Sequence, residues 1–326
     1  MTKLIRIGII GTGFAAQRRA EALTADDRAE VIGVSGHSPD SLKSFCESHS
    51  ISKYDSTENL IAASEIDLIV ICNINSEHSN LAQAALEAGK HVVVEYPLAL
   101  NPEKARYLIN LAKQKNLLLH VEHIELLGGL HNAIRQWLPE IGNVFYARYS
   151  TINPQNPAPK KWTYNKQLFG FPFSGALSRF HRFTDLFGKV TTVNCHSRYW
   201  ERENSDQYFA CLNNAQLRFE NGLLADIIYG KGEVFSQPDR RFELQGEKGI
   251  LVFEGSEGKL LRGEEETSIE VGSRRGLFAK DTTYVLDYLT EQKPLYVKPE
   301  SSYYATRIAE AARVAAETEK TIFIDN

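Results

Sequence analysis

Gly8, Gly11, Gly13 and Ala16 spell G-x-x-G-x-G-x-x-A between an apolar run, RIGIIG, and an amphipathic one. That placement suits a dinucleotide pyrophosphate. Gly11 permits the tight turn, Gly13 lets the backbone approach the phosphates, and Ala16 keeps the following helix close to the strand. Thr12, Phe14 and Ala15 complete the cofactor-facing loop, and the helix N-terminus meets the phosphate charge. About 20 residues further on, a site for NADH would carry a carboxylate to hold the ribose hydroxyls. This chain reads Val34-Ser35-Gly36-His37-Ser38 instead. With no carboxylate to repel a 2′-phosphate, and with His37, Ser38 and Lys43 able to donate hydrogen bonds beside Gly36, the expected cofactor is NADPH, with NADH a weaker substitute. Ser38 before Pro39 is equally a helix N-cap.

His120 and His123, with Glu122 and Glu125 nearby, have the composition of a metal site. Strand geometry opposes it: residues three apart on a strand point to opposite faces, so the two imidazoles cannot readily share one ion. No metal is expected.

The elements that must position these residues can be read from periodicity. Up to about Leu126, the runs RIGIIG, AEVIGVSG, IDLIVICN, KHVVVEYP and LLLHVEHI alternate with helical segments at residues 15–24, 39–48, 57–63, 78–88 and 102–114. Near-continuous Val and Ile imply strands buried on both faces, and alternation with helices implies a parallel sheet. After about Gly128 comes a helix, then NVFYARYSTI, TTVNCHSRYW, YFACLNNAQLRF, LLADIIYGKG, RFELQGEKG and GILVFEG. Turn signals at Glu220-Asn221-Gly222 and Glu247-Lys248-Gly249 predict hairpins in a mostly antiparallel sheet. An amphipathic segment at 174–187 interrupts it, a helix at 301–318 closes the chain, and the proline-rich stretch 153–161 reads as an exposed loop or lid. The fold class is α/β: a dinucleotide-binding domain over 1–126 and an α+β domain over 127–326, whose last helix can pack back on the first domain.

Asn73-Ile74-Asn75 through His78, the run Glu87-Ala88-Gly89-Lys90-His91-Val92, and Glu95-Tyr96-Pro97 together resemble the glucose-fructose oxidoreductase and inositol dehydrogenase (Gfo/Idh/MocA) superfamily across the first domain. The resemblance implies a Rossmann fold, with Asn73, Asn75, His78 and Glu95 around the cofactor. Most of that superfamily has Glu-Lys-Pro where this chain has Glu95-Tyr96-Pro97, and a later Asp and His of the family pattern are replaced around Ser178, Arg179 and Arg182. These departures match one branch: VEYPLAL, LHVEHIELL and FGFPFSGALSRF look like the biliverdin reductases, most of all the cyanobacterial members. That likeness implies reduction of biliverdin IXα to bilirubin by hydride delivery to its central methine carbon, which needs no lysine base at a hydroxyl.

A linear tetrapyrrole needs a broad apolar slot, cations for its two propionates and a donor near the pyrrole nitrogens. The catalytic candidates are Arg179, Tyr96 and His123. Arg179 is the strongest of them, though a guanidinium scarcely gives up its proton and more easily orients water or binds a carboxylate. Arg182, Arg274 and Arg275 join these three as substrate contacts. Structural readings stand beside each: a packed tyrosine at Tyr96, a hydrogen-bonded core histidine at His123, a helix-start hydrogen bond at His78, a strand-end carboxylate at Glu95, and solvated or ion-paired arginines elsewhere. Trp162, Tyr164, Phe169, Phe171 and Phe173 either stack on a flat pigment or fill the core.

Composition narrows the classes. The chain has 326 residues, a net charge of -4 and four cysteines without CxxC spacing. Nucleic acid is not an expected partner, nor is a membrane, since no apolar run approaches about 20 residues. The N-terminus reads as a first strand rather than a signal peptide, the expected setting is the reducing cytoplasm, and no obligate protein partner is evident. Two alternatives remain at this point: an NADP-dependent sugar or polyol dehydrogenase of the same superfamily, which Tyr96 in place of lysine disfavours, and a non-catalytic dinucleotide sensor.

Overall fold

The Val- and Ile-rich runs of the first half form β1 (Ile5–Ile10), β2 (Ala29–Ser35), β3 (Ser52–Lys53), β4 (Leu68–Ile71), β5 (His91–Val94) and β6 (Leu119–Val121) in a computed structural model that describes residues 4–325. They pair in parallel in the order β3-β2-β1-β4-β5-β6. Helices α1 (Phe14–Thr24), α2 (Pro39–His49), α3 (Thr57–Ala62), α4 (His78–Glu87) and α5 (Pro102–Gln114) supply the crossovers. Three of them start where polar side chains cap the backbone: Ser38 for α2, Ser56 for α3, and Asn101 ahead of Pro102 for α5, a contribution of about 1 kcal/mol each.

Period-two alternation explains why both faces are apolar. Leu68 and Val70 of β4 enter one core with Ile7, Ile9, Ala16 and Phe45, while Ile69 and Ile71 enter the other with Leu86 and Leu108. A strand facing water on one side would tolerate polar residues at every second position; β4 has none.

The second unit begins at Glu125. It contains α6 (Gly129–Trp137), β7 (Val144–Pro154), the short turns α7 (Lys166–Phe169) and α8 (Pro172–Gly175), and α9 (Ser178–Phe187). There follow β8 (Val190–Glu201), β9 (Tyr208–Phe219), β10 (Leu224–Gly232), β11 (Asp239–Gly246), β12 (Gly249–Glu254), β13 (Glu257–Arg262) and β14 (Glu265–Glu270). The sheet runs β14-β13-β12-β11-β7-β10-β9-β8, extended by a terminal strand, β15 (Ile322–Phe323). Every pairing is antiparallel except β7 with β10. Both predicted hairpins are present, between β9 and β10 and between β11 and β12.

One expectation needs revision. The chain does not remain in the second unit after residue 127: Gly276–Tyr303 belongs to the first unit, and Tyr304 onward to the second. Its first-unit part holds α10 (Leu277–Glu291), whose Val285 and Leu286 sit in the first core, and the closing α11 (Pro299–Thr318) spans the change of unit. The proline stretch is an exposed loop over most of its length, with Asn156, Pro157, Lys160 and Lys161 exposed, and it is anchored at one point. Ala158 is buried, its N–H donates to Glu233 and its carbonyl accepts from Arg202 at 2.8 Å each.

Candidate active site

In the first unit the glycine loop has the geometry its residues require. Gly11 has φ +111°, and a Cβ there would lie 2.5 Å from the Cys72 carbonyl oxygen, so both conformation and space exclude a side chain. Gly13 precedes α1, and a Cβ built on it would meet nothing within 4 Å. Its open face and the first turn of α1, which no side chain caps, form a cradle that a pyrophosphate fits. Ala16 is fully buried, as close helix–strand packing needs, while Phe14 is exposed and touches Phe278 edge-on at 6.1 Å. At the end of β2, Ser35 is buried with its hydroxyl 3.1 Å from Thr57. Gly36 lies against Thr12, and His37 and Ser38 are exposed. Ser38 accepts from the Ser41 amide at 3.4 Å, so its N-cap role is real; its exposed hydroxyl proton remains available to a phosphate.

The loop after β4 holds two polar atoms that are buried without a hydrogen-bond partner, Oδ1 of Asn73 and Oγ of Ser76. Native proteins rarely leave such atoms unsatisfied, so each keeps hydrogen-bonding capacity for a water or a ligand. Asn73 is among the cofactor contacts expected from the sequence; Ser76 is not. His78 does not face outward. Its ring is buried, Nδ1–H donates to the Pro97 carbonyl at 2.9 Å and Nε2 lies 3.2 Å from the Asn73 carbonyl, and burial lowers its pKa. Its observed role is to tie the Asn73 loop to the end of β5. Asn75 is buried in the same loop.

Glu95 and Tyr96 follow β5, and each has a specific partner. Glu95 accepts from Nε of Arg19 at 3.1 Å, and Arg19, buried on α1, also forms a buried ion pair with Asp281 of α10. Burial alone would raise the Asp281 pKa. Arg19, His120 and Tyr296 outweigh burial and hold the group ionised, well below the usual carboxylate range. Glu122 behaves oppositely: burial first, then the charges of Glu95 and Asp281 and a hydrogen bond with Glu95, push its pKa well above the usual carboxylate range. The Tyr96 ring stacks on His123, with centroids 5.3 Å apart and planes 4° from parallel. His123 shares a hydrogen bond with Ser302 at 2.8 Å, whereas His120 donates to Asp281 at 2.8 Å. The two histidines therefore have separate partners. No cluster of three or more metal-ligating side chains occurs among the described residues.

In the second unit, Arg179 projects from the first turn of α9. Its guanidinium lies over the Tyr229 ring, 4.9 Å from the centroid, and donates to Thr151 Oγ1 at 3.3 Å and Ser178 Oγ at 3.2 Å. Arg182 is 1% exposed, so it cannot reach a ligand on the unit's surface from where it stands. Its Nη2 donates to Glu125 at 3.4 Å, and Nε and Nη1 have no partner. Glu125 also pairs with Arg274, so two of the three arginines expected as further substrate contacts converge on one carboxylate; Arg275 stays exposed. Of the aromatic run, Tyr164, Phe169 and Phe173 are buried and serve packing, and Trp162 and Phe171 are half-buried. Buried carboxylates and cations such as Arg19, Asp281, Glu122 and Lys231 were not anticipated, because their residue types read as surface.

Two profiles of one oxidoreductase family match this chain: its NAD-binding Rossmann fold over residues 5–123, and its C-terminal alpha/beta domain over residues 139–324. The crystal structure of biliverdin reductase in complex with biliverdin and NADP+ from Synechocystis sp. PCC 6803 is 53% identical. It superposes with a TM-score of 0.95 over 96% of this chain and 99% of that one. Biliverdin reductase A of Mus musculus is 29% identical over 237 residues, 73% of this chain and 70% of that protein. Myo-inositol 2-dehydrogenase of Thermotoga maritima is 26% identical over 250 residues, 76% of this chain and 74% of that protein.

Proposed function

This chain belongs to the Gfo/Idh/MocA oxidoreductase family and is an NAD(P)H-dependent oxidoreductase, and we propose that within the family it reduces biliverdin IXα to bilirubin with NADPH. The observation that carries this reading is the 53% identity, over nearly the whole of both chains, to a biliverdin reductase crystallised with biliverdin and NADP+. Tyr96 stands where a polyol dehydrogenase of the family would carry its proton-moving lysine, which supports a substrate without a reacting hydroxyl.

When bound, NADPH supplies the hydride that adds to the central methine carbon of the pigment. The residues' own tasks follow from what holds them. Gly11, Gly13 and the start of α1 receive the pyrophosphate, Gly36, His37 and Ser38 leave room and donors for the 2′-phosphate, and Asn73 and Ser76 offer hydrogen bonds at the nicotinamide end. Arg19 donates to Glu95 and holds its side chain in place, oriented toward the nicotinamide ribose. Tyr96, braced by His123, offers the pigment a flat apolar face. Arg179 keeps its proton at any pH the protein survives, so it contributes a fixed positive charge, holding a propionate or orienting the water that protonates the pyrrole nitrogen.

The test is a visible spectrum of the protein with biliverdin IXα and NADPH or NADH in separate cuvettes. Green pigment turning yellow, faster with NADPH, is the expected result. Pigment that stays green with both cofactors, while a polyol is oxidised with NADP+, would move the assignment to the dehydrogenases.

A further inference from the structure

Lysine is seldom buried, and Lys231 is 6% exposed. It lies two residues after Tyr229 on β10, so both side chains leave the same face of the strand. Its ammonium sits among three rings, 4.1 Å from the centroid of Phe169, 4.5 Å from Tyr164 and 5.4 Å from Tyr208. It donates to the Thr163 carbonyl, which also accepts from the Tyr208 hydroxyl at 3.1 Å. Three of these four partners, Thr163, Tyr164 and Phe169, belong to the segment linking β7 to α9. The fourth is on β9. Next along β10, the Tyr229 ring carries the guanidinium of Arg179. One desolvated cation thus fastens this segment to the strand that supports the arginine.

We propose that Lys231 is a positioning residue for the reaction: its ammonium pins residues 162–169 against β10 and so fixes the wall on which Arg179 is held. This rests on the biliverdin reductase reading. Cation–π attraction and a charge-assisted hydrogen bond both need the protonated amine. A neutral amine leaves the rings packed but loosens the fastening.

The groups facing Lys231 keep its titration separable. Burial lowers its pKa to about 8; the neighbouring Cys211 works against that, and the like charge of Arg179 adds to it. Cys211, its cross-strand partner on β9, is pushed up to about 11 by burial, and Tyr164 to about 12. Tyr208 on β9 and Tyr199 on β8, which meets it edge-on, are also raised by burial. Glu233 and Arg202 also act on Tyr164, the first raising and the second lowering its pKa. Because the folded value is depressed, the unfolded chain binds more protons between about pH 8 and 10.4, and folding becomes more favourable as pH rises across that window. Loss of activity there would be local and not a loss of fold.

Two readouts on the full-length protein decide it: near-ultraviolet circular dichroism from about pH 6 to pH 10, and kcat/KM for biliverdin with NADPH over the same range. Wild type should show a midpoint near pH 8 in both, without a fall in Tm. Lys231→Arg, which stays charged, should lose that midpoint and keep activity within about fivefold, and Lys231→Met should lose roughly ten- to a hundredfold at every pH. A midpoint that survives in Lys231→Arg, or wild-type kinetics in Lys231→Met, would overturn the proposal. If Lys231→Met does not fold, wild type and Lys231→Arg still decide it. Absence of biliverdin turnover in wild type would overturn the functional reading instead, and the dichroism would remain to judge the lysine.

Discussion

Arg179 is held by two hydroxyls and the face of Tyr229, a setting in which a planar, permanently charged fork is not interchangeable with an ammonium. Arg179→Lys should lower kcat/KM by roughly a hundredfold while shifting Tm by less than about 2 °C. Comparable losses of activity and stability would make the arginine structural. Glu122 gives a prediction of opposite kind. Its folded pKa is raised, so its stabilising contribution is complete below the ordinary carboxyl range and fades as pH rises toward the folded value. Glu122→Gln keeps a donor without the titration, so its Tm should exceed wild type by about 2–4 °C at pH 8, and the gap should close near pH 5. A gap independent of pH would contradict a raised Glu122 pKa. The glycine turn, by contrast, was fully legible: the spacing placed Gly11 where φ is positive. Gly11→Ala should cost about 1–3 kcal/mol in urea unfolding and abolish NADPH binding.

Among the elements, legibility followed the strength of local signals. Strands β4 and β5 are continuous apolar runs, and α2, α3 and α5 open with capping side chains, so each was readable. Helix α10 was missed: it begins after Gly276 at φ +71° with no side-chain cap, and Thr282, Thr283 and Val285 weaken its helical appearance. Strands β13 and β14 were missed because half of the residues in EGKLLR and in EETSIE are charged, and β14 is exposed at all but one position. Missing α10 also hid half of the Glu95 environment, since Asp281 lies on it. Asp281→Asn removes one partner of a buried ion pair and should destabilise the protein by about 3–5 kcal/mol at pH 7. Because the folded pKa is depressed, wild type loses this advantage as pH falls below about 4, and the two proteins should converge in acid. A constant difference in denaturation midpoint down to pH 3 would contradict the assigned ionisation.

At the scale of the molecule, the chain changes unit after Ile124, after Arg275 and after Tyr303. No stretch of sequence announces a return, since each crossing lies in an ordinary loop or helix. A fragment ending at residue 126 would lack Asp281, Val285 and Leu286, leaving Glu95 as the one carboxylate paired with Arg19 and one face of the first core open. Such a fragment should show no cooperative thermal transition, whereas sharp unfolding would mean that α10 is dispensable. The central claim remains the chemistry of the whole chain, and labelled cofactor tests it most directly. With NADPH deuterated at the transferable position and biliverdin IXα, the bilirubin formed should carry one deuterium at its central bridging carbon by mass spectrometry and NMR. Unlabelled bilirubin, label elsewhere in the pigment, or no bilirubin at all would contradict the account.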